Sequence, residues 1–257
     1  MKNNFFYQKP LANIYANASK KSEIVSQILY GEKFVILKKR GNWCKIKTDY
    51  DNYIGYLKND NFLSNFKPTH KVYKLDTVIF KKVKKRFIPS RQSLYFATRI
   101  FKIKSDKKFI QFDKNKWIKK KDLKPINYIE KRFFKILKLF LNIKYLWGGK
   151  SSNGIDCSAL VQIYYLFNNI YFPRDTKDQI KFLKKRKRNE FNKRILLYWK
   201  GHVAVCLNKN TLIHAYGPKK RVVIMKKNKN HKLYNRYNLL YWKGHVAICL
   251  NKNFLIH

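Results

Sequence analysis

From about Leu11 to Leu63, apolar and polar residues alternate in short runs broken by turn residues. Glu23 to Leu29 leads through Tyr30-Gly31-Glu32 into Phe34-Val35-Ile36-Leu37. Lys39-Arg40-Gly41-Asn42 turns the chain before Trp43 to Lys47, and Asp49 to Asn52 turns it again before Tyr53 to Leu57. Strands of about five residues with turns every 8–12 predict a small β-barrel. Residues 71–123 repeat the theme more loosely, with Thr77 to Phe80, Ser93 to Ile103, Phe109 to Phe112 and Trp117-Ile118. Pro125 marks a change of period. Glu130 to Leu141 carries apolar residues at 133, 134, 137, 140 and 141, a helical spacing with a basic opposite face. A membrane-surface helix and a helix docked on a core both fit. Docking is favoured, because another folded segment follows at once.

The stretch Tyr145 to Gln162, YLWGGKSSNGIDCSALVQ, pairs a glycine-rich loop with an apolar run containing Leu160, Val161, Tyr164, Tyr165 and Phe167. That places Cys157 at or near the first turn of a helix, where backbone N–H groups and the dipole favour the thiolate. Pro173-Arg174-Asp175-Thr176 reads as another helix start, and residues 184–194 as a basic connector. Leu196 to Leu207 alternates, with Val203, Val205 and Leu207 on one face and His202, Ala204 and Cys206 on the other. Asn208-Lys209-Asn210 is a turn, and Leu212 to Ala215 returns. A hairpin centred near Asn208 sets His202 and His214 opposite each other or within one residue of it.

Composition changes the picture in two ways. The balance of 59 Lys+Arg against 14 Asp+Glu gives a formal charge of +45. A polyanion partner is one explanation. An A+T-rich genome is the other and is preferred, because Lys, Asn, Ile, Phe and Tyr are all abundant and the basic residues are spread evenly rather than gathered in an arm or finger. Specific nucleic-acid binding is therefore not expected, although non-specific sticking to polyanions is. Second, Cys44, Cys157, Cys206 and Cys249 show no CxxC or metal-ligand spacing. A reducing compartment fits better than a disulfide framework. No signal-peptide core and no run of about 18 apolar residues is evident, so a soluble cytoplasmic protein without a membrane span is expected.

Cys157 as nucleophile, His202 as base, 45 positions later, and His214 as orienting group fit acyl transfer through a thioester. Singly, a buried small cysteine and polar strand edges explain them as well. A metal site is a third reading, but these three ligands lack an obvious fourth. No metal or organic cofactor is implied.

With these residues in hand the chain resembles the NlpC-type cell-wall cysteine peptidases. The matching motifs are Y-x-W-G-G at Tyr145–Gly149, G-x-D-C-S at Gly154–Ser158, P-R-D-T-x-x-Q at Pro173–Gln179, G-H-V-A at Gly201–Ala204 and I-H-A-x-G-P at Ile213–Pro218. The upstream segments resemble bacterial SH3-type domains, through G-x-x-x-x-I/V-L, W-x-K-I and GY-L cues in the first and W-I-K-K-x-D-L closing the second. The resemblance implies an α+β chain: SH3-type domains over 1–66 and 67–125, a papain-like peptidase domain over 126–225, and a tail over 226–257. With its upstream SH3-type segments it looks like the dipeptide-releasing members, which cleave γ-D-glutamyl–diamino acid bonds in murein peptides. By that likeness Cys157, His202 and His214 are the triad, and Asp156 and Ser158 bind the free α-amine of an N-terminal L-Ala. Tyr145 and Thr176 line the substrate pocket, and Tyr56 helps close it. A carboxylate beside the nucleophile disfavours the thiolate, so Asp156 should have a substrate cation to answer to.

Two departures stand out. Ala159 replaces the usual Gly after D-C-S, and Arg194-Ile195 replaces the Gly-Asp ahead of the histidine strand. Residues 239–257 repeat residues 196–214 at an offset of 43, differing only at Val205/Ile248 and Thr211/Phe254. The second copy carries His245 and stops at His257, whereas the first continues into Ala215 to Pro218 and Val222 to Ile224, so catalysis is assigned to the first. The copy is expected to be an unpaired strand or to compete for the same place in the sheet. The reading as a whole is a cytoplasmic cysteine peptidase of murein-peptide recycling. A catalytically impaired wall- or polyanion-binding protein of the same fold is its rival.

Overall fold

The structure is a computed structural model, and it describes residues 4–185, 195–199, 201–226, 240–242 and 245–247. The basic connector after Lys185, with Arg194 at its end, and His257 lie outside the described residues. The chain divides into two compact units: Met1–Lys131 with Trp147–Ser152 and Leu166–Tyr171, and Arg132–Leu146 with Asn153–Tyr165 and Phe172–His257.

The first unit holds two cores. Six antiparallel strands, Asn4–Phe6, Leu11–Tyr15, Ile24–Leu29, Lys33–Arg40, Trp43–Thr48 and Ile54–Lys58, lie in the sheet order first, fourth, fifth, sixth, second, third. Period-two patterning decides which side chains face inward. Along Trp43–Thr48 it buries Cys44, Ile46 and Thr48. Cys44 and Ile46 join Tyr7, Ile14, Ile28, Phe34 and Leu57 in one cluster. Residues 70–125 form a five-stranded and a three-stranded sheet around Val72, Ile79, Leu94, Ile100, Ile110, Phe112, Ile118 and Leu123. Tyr30 crosses from the first segment into this second core, so the two share one unit. The predicted run Ser93 to Ile103 is broken. Its strand ends at Tyr95, Ala97 takes φ +69°, and Arg99–Ile100 joins the other sheet.

The glycine-rich motif also belongs to this unit. Trp147 Nε1 donates to Glu23 (2.6 Å), Lys150 N–H donates to Gln27 Oε1 (2.9 Å), and the buried Lys150 ammonium sits 2.9 Å from both Glu32 oxygens. Gly148 has φ +72°, and a Cβ there would lie 2.4 Å from the Ile24 carbonyl oxygen. Only glycine fits so close to a backbone. Residues 147–152 and 166–171, which lie within the span 126–225 expected for the peptidase domain, group with the first unit.

In the second unit, α1 (Phe133–Leu139) buries Phe133, Ile136 and Leu137, and Phe140 is buried just beyond it. The buried face is rotated from the predicted one: Phe134 is half-buried and Leu141 is exposed. Phe133 meets Tyr164 edge-on at 4.8 Å, so α1 is a docked helix. Helix α2 (Cys157–Phe167) is buried on every side, as an all-round apolar sequence requires. Its one amide, Gln162, is satisfied by the Phe172 carbonyl (3.0 Å). Helix α3 (Thr176–Lys184) starts after Asp175 and buries Gln179 and Leu183. Among the described residues no helix is long and apolar enough to cross a membrane.

The antiparallel sheet of this unit runs Arg221–Lys226, Thr211–Tyr216, His202–Cys206, Ile195–Trp199, His245–Ala247, Leu240–Trp242. The predicted strand 196–207 is in fact a hairpin. Gly201 at φ +74° turns the chain between Trp199 and His202, which pair with each other across the two strands. The duplicated segment pairs rather than competes. His245 lies opposite Trp199 on one edge, as His202 does on the other, and Trp242 in turn faces His245. Identical sequences have taken an identical register on both sides of one strand. Deleting 227–257 should therefore uncover that strand's edge and lower Tm by about 2–8 °C, while the sheet survives. Calorimetry of the truncated chain checks this. An unchanged Tm would mean the added strands contribute nothing.

Candidate active site

Asp156 determines where the cysteine sits. Its backbone carbonyl accepts from Leu160 N–H (3.0 Å), and its side-chain Oδ1 accepts from Ala159 N–H (2.8 Å). This is an N-cap, and it makes Cys157 the first residue of α2. The thiol is 3% exposed, with Sγ 3.9 Å from the Gly201 carbonyl at the hairpin turn. Burial pushes the Cys157 pKa up to about 12, and the Asp156 charge adds to the rise. Val203 N–H, Arg174 and Ser158 N–H pull it down by less. The helix-terminus argument for a thiolate thus loses to desolvation.

The two histidines do meet. His202 Nε2 lies 2.8 Å from His214 Nδ1 across neighbouring strands. The hairpin pairs Val205 with Ile213 and Cys206 with Leu212, and continuing that register sets His202 two residues from the position opposite His214. They are diagonal neighbours on one face rather than directly opposed. His214 stacks on Tyr216 (4.6 Å, 14°), and its Nε2 lies 3.4 Å from Met225 Sδ. Burial drives the His202 pKa down to about 4, only partly opposed by Asp156. Both shifts favour a neutral thiol and a neutral imidazole over the thiolate that the helix start predicts.

Asp156 already has its cation. Arg174, 2% exposed, places Nη2 2.5 Å from Oδ2 and Nη1 3.0 Å from Oδ1, and Nη1 also donates to Ser158 Oγ (2.9 Å). Ser158 Oγ in turn lies 3.1 Å from Asp156 Oδ1. A bidentate guanidinium is the geometry that makes a buried carboxylate tolerable. Gln179, wholly buried, ties the neighbourhood together: its Nε2 donates to the Ser158 and Pro173 carbonyls, and its Oε1 accepts from Tyr198 OH, each at 3.0 Å.

The other predicted residues fall in different places. Burial pushes the Tyr145 pKa up to about 12, with Cys157 and then Asp156 adding to the rise. Thr176, half-buried, is the first residue of α3. Tyr56 belongs to the first unit, where it faces Tyr15 and Lys45 across the sheet. Among the described residues, no three His, Cys, Asp or Glu side chains gather as metal ligands do. Arg174, Gln179 and Met225 were missed. The first two stand within the P-R-D-T-x-x-Q motif, whereas nothing in the sequence marks Met225.

Removing the Arg174 guanidinium leaves a buried carboxylate unpaired. Arg174→Ala should destabilise the fold by about 3–5 kcal/mol, and Arg174→Lys by less while losing the bidentate grip. Urea denaturation checks the order. A loss under about 1 kcal/mol for Arg174→Ala would contradict the paired, desolvated site.

Comparison with known proteins places this geometry. Residues 142–240 match the NlpC/P60 family, and residues 14–62 match the bacterial dipeptidyl-peptidase Sh3 domain. The chain is similar to dipeptidyl-peptidase 6 of Lysinibacillus sphaericus, 28% identical in an alignment of 233 residues that covers 80% of this chain and 84% of that protein. It is also similar to the gamma-D-glutamyl-L-lysine dipeptidyl-peptidase of Bacillus subtilis, 26% identical over 62% of this chain and 58% of that protein. The crystal structure of an NlpC/P60 family protein from Bacillus cereus shares the fold, with a TM-score of 0.71 at 17% identity over 87% of this chain and 94% of that one. Residues 142–240 are accordingly a domain of the NlpC/P60 peptidase family, of the cysteine peptidase class, and residues 14–62 a bacterial dipeptidyl-peptidase SH3 domain.

Proposed function

We propose that the chain is a cysteine endopeptidase that hydrolyses γ-D-glutamyl–diamino acid bonds in murein peptides with a free N-terminal L-Ala, in cytoplasmic recycling of wall peptides. The observation that carries the reading is the 2.8 Å His202–His214 bond on the sheet whose hairpin turn meets the Cys157 thiol. The names of the two relatives support the substrate class. With Nε2 engaged by His214, Nδ1 of His202 takes the Cys157 proton as sulfur attacks the γ-carbonyl carbon. Proton transfer accompanies attack rather than preceding it, because the resting groups are neutral. The α2 backbone N–H groups and the Tyr145 phenol stabilise the oxyanion. His202 then gives the proton to the leaving amine, and water releases the acyl group from sulfur by the reverse sequence.

Arg174 neutralises Asp156 at rest, so an incoming α-ammonium at Asp156 and Ser158 brings a net positive charge close to Cys157. That charge favours the thiolate. The substrate's own amine would thus assist the attack, with Thr176 in the adjoining pocket. One observation favours the rival reading, a binding protein of the same fold: a thiol pushed up to about 12 is a poor nucleophile when nothing is bound.

Hydrolysis of L-Ala-γ-D-Glu-diaminopimelate by wild type and by Cys157→Ala separates the two. Release of L-Ala-D-Glu by the wild type alone is the expected result. Acetylating the substrate's α-amine should lower kcat as well as raise KM, by about tenfold or more in kcat/KM. No release by folded wild type across several stem peptides would favour the binding protein.

A further inference from the structure

We infer that Met225 is a positioning residue: its thioether fixes where the protons sit along the His214–His202 pair. Met225 Sδ lies 3.4 Å from His214 Nε2, and a thioether has no hydrogen to give. The ring nitrogen must therefore be the donor. A neutral imidazole carries one ring proton, so His214 Nδ1 is bare and accepts. Its partner at 2.8 Å is His202 Nε2, which must then carry the proton of that ring. His202 Nδ1 is left as the basic nitrogen. Each bond in the series allows one direction only once the sulfur is in place.

The sheet delivers the sulfur without a special loop. His214 pairs with Val223, and Met225, two residues further along the same strand, lies on the same face and diagonal to His214. The stack of His214 on Tyr216 holds the ring plane so that Nε2 stays aimed at the sulfur. Without the sulfur, His214 can hold its proton on Nδ1 instead and donate to His202. His202 then carries its proton on Nδ1, where it cannot accept one from Cys157. In serine peptidases, forcing the base into the wrong tautomer costs about 10⁴ in rate. Here the acceptor is weak and the tautomer is biased rather than locked.

The catalytic consequence rests on the peptidase reading, but the tautomer does not, so the two are read separately. The chain has two methionines, Met1 and Met225, so biosynthetic replacement by norleucine exchanges one internal sulfur for a methylene. In wild type, ¹⁵N chemical shifts should show His202 protonated at Nε2 and His214 protonated at Nε2. In the norleucine protein both rings should become tautomer mixtures, with kcat for L-Ala-γ-D-Glu-diaminopimelate down about three- to tenfold at unchanged KM. Met225→Leu provides the same test by mutation. Unchanged ¹⁵N shifts in folded norleucine protein would overturn the inference, whatever the activity. Mixed tautomers without any hydrolysis by wild type would uphold it and sink the peptidase reading instead.

Discussion

A buried carboxylate at the head of one helix sets up the rest of the site. Asp156 caps α2, and that cap makes Cys157 its first residue. Asp156 also raises the Cys157 and Tyr145 pKa values and partly opposes the fall at His202. Such a charge survives burial only when it is paired and hydrogen-bonded. Arg174 pairs it bidentately, and Gln179 anchors the loop that presents Arg174 by binding the Pro173 and Ser158 carbonyls. Nucleophile, base and scaffold are thus coupled through one ion pair.

Desolvation then decides the protonation state. A helix N-terminus and a nearby guanidinium both favour a thiolate, and the chain has both. Yet a thiol 3% exposed beside a carboxylate stays protonated, and its base stays neutral. The reactive state has to come with the substrate, through water exclusion and the charge the substrate carries.

Much of this was legible from local pattern. Alternation located the strands of the first sheet, and the glycine-rich motif with the apolar run behind it located Cys157. Two histidines twelve residues apart around an Asn-rich turn announced a cross-strand pair. What failed was what only three dimensions decide. The run 196–207 reads as one strand because it alternates from His202 onward, but Lys200-Gly201 follows four apolar residues in a row and the φ of +74° at Gly201 makes it the turn. Arg174 read as part of a helix start, since a basic residue among 59 carries no signal of burial. The tail was expected to be an unpaired strand or to compete with its parent segment. Strand 195–199 has two edges, and both accept the same sequence in the same register.

The most direct test of the neutral-pair account is the pH dependence of Cys157 alkylation by iodoacetamide in the ligand-free protein, followed by peptide mass spectrometry to separate it from the other cysteines. The account predicts slow modification at pH 7 and a rate climbing about tenfold per pH unit through pH 9 with no plateau. A plateau already reached below pH 7 would mean a preformed thiolate–imidazolium pair and would contradict it.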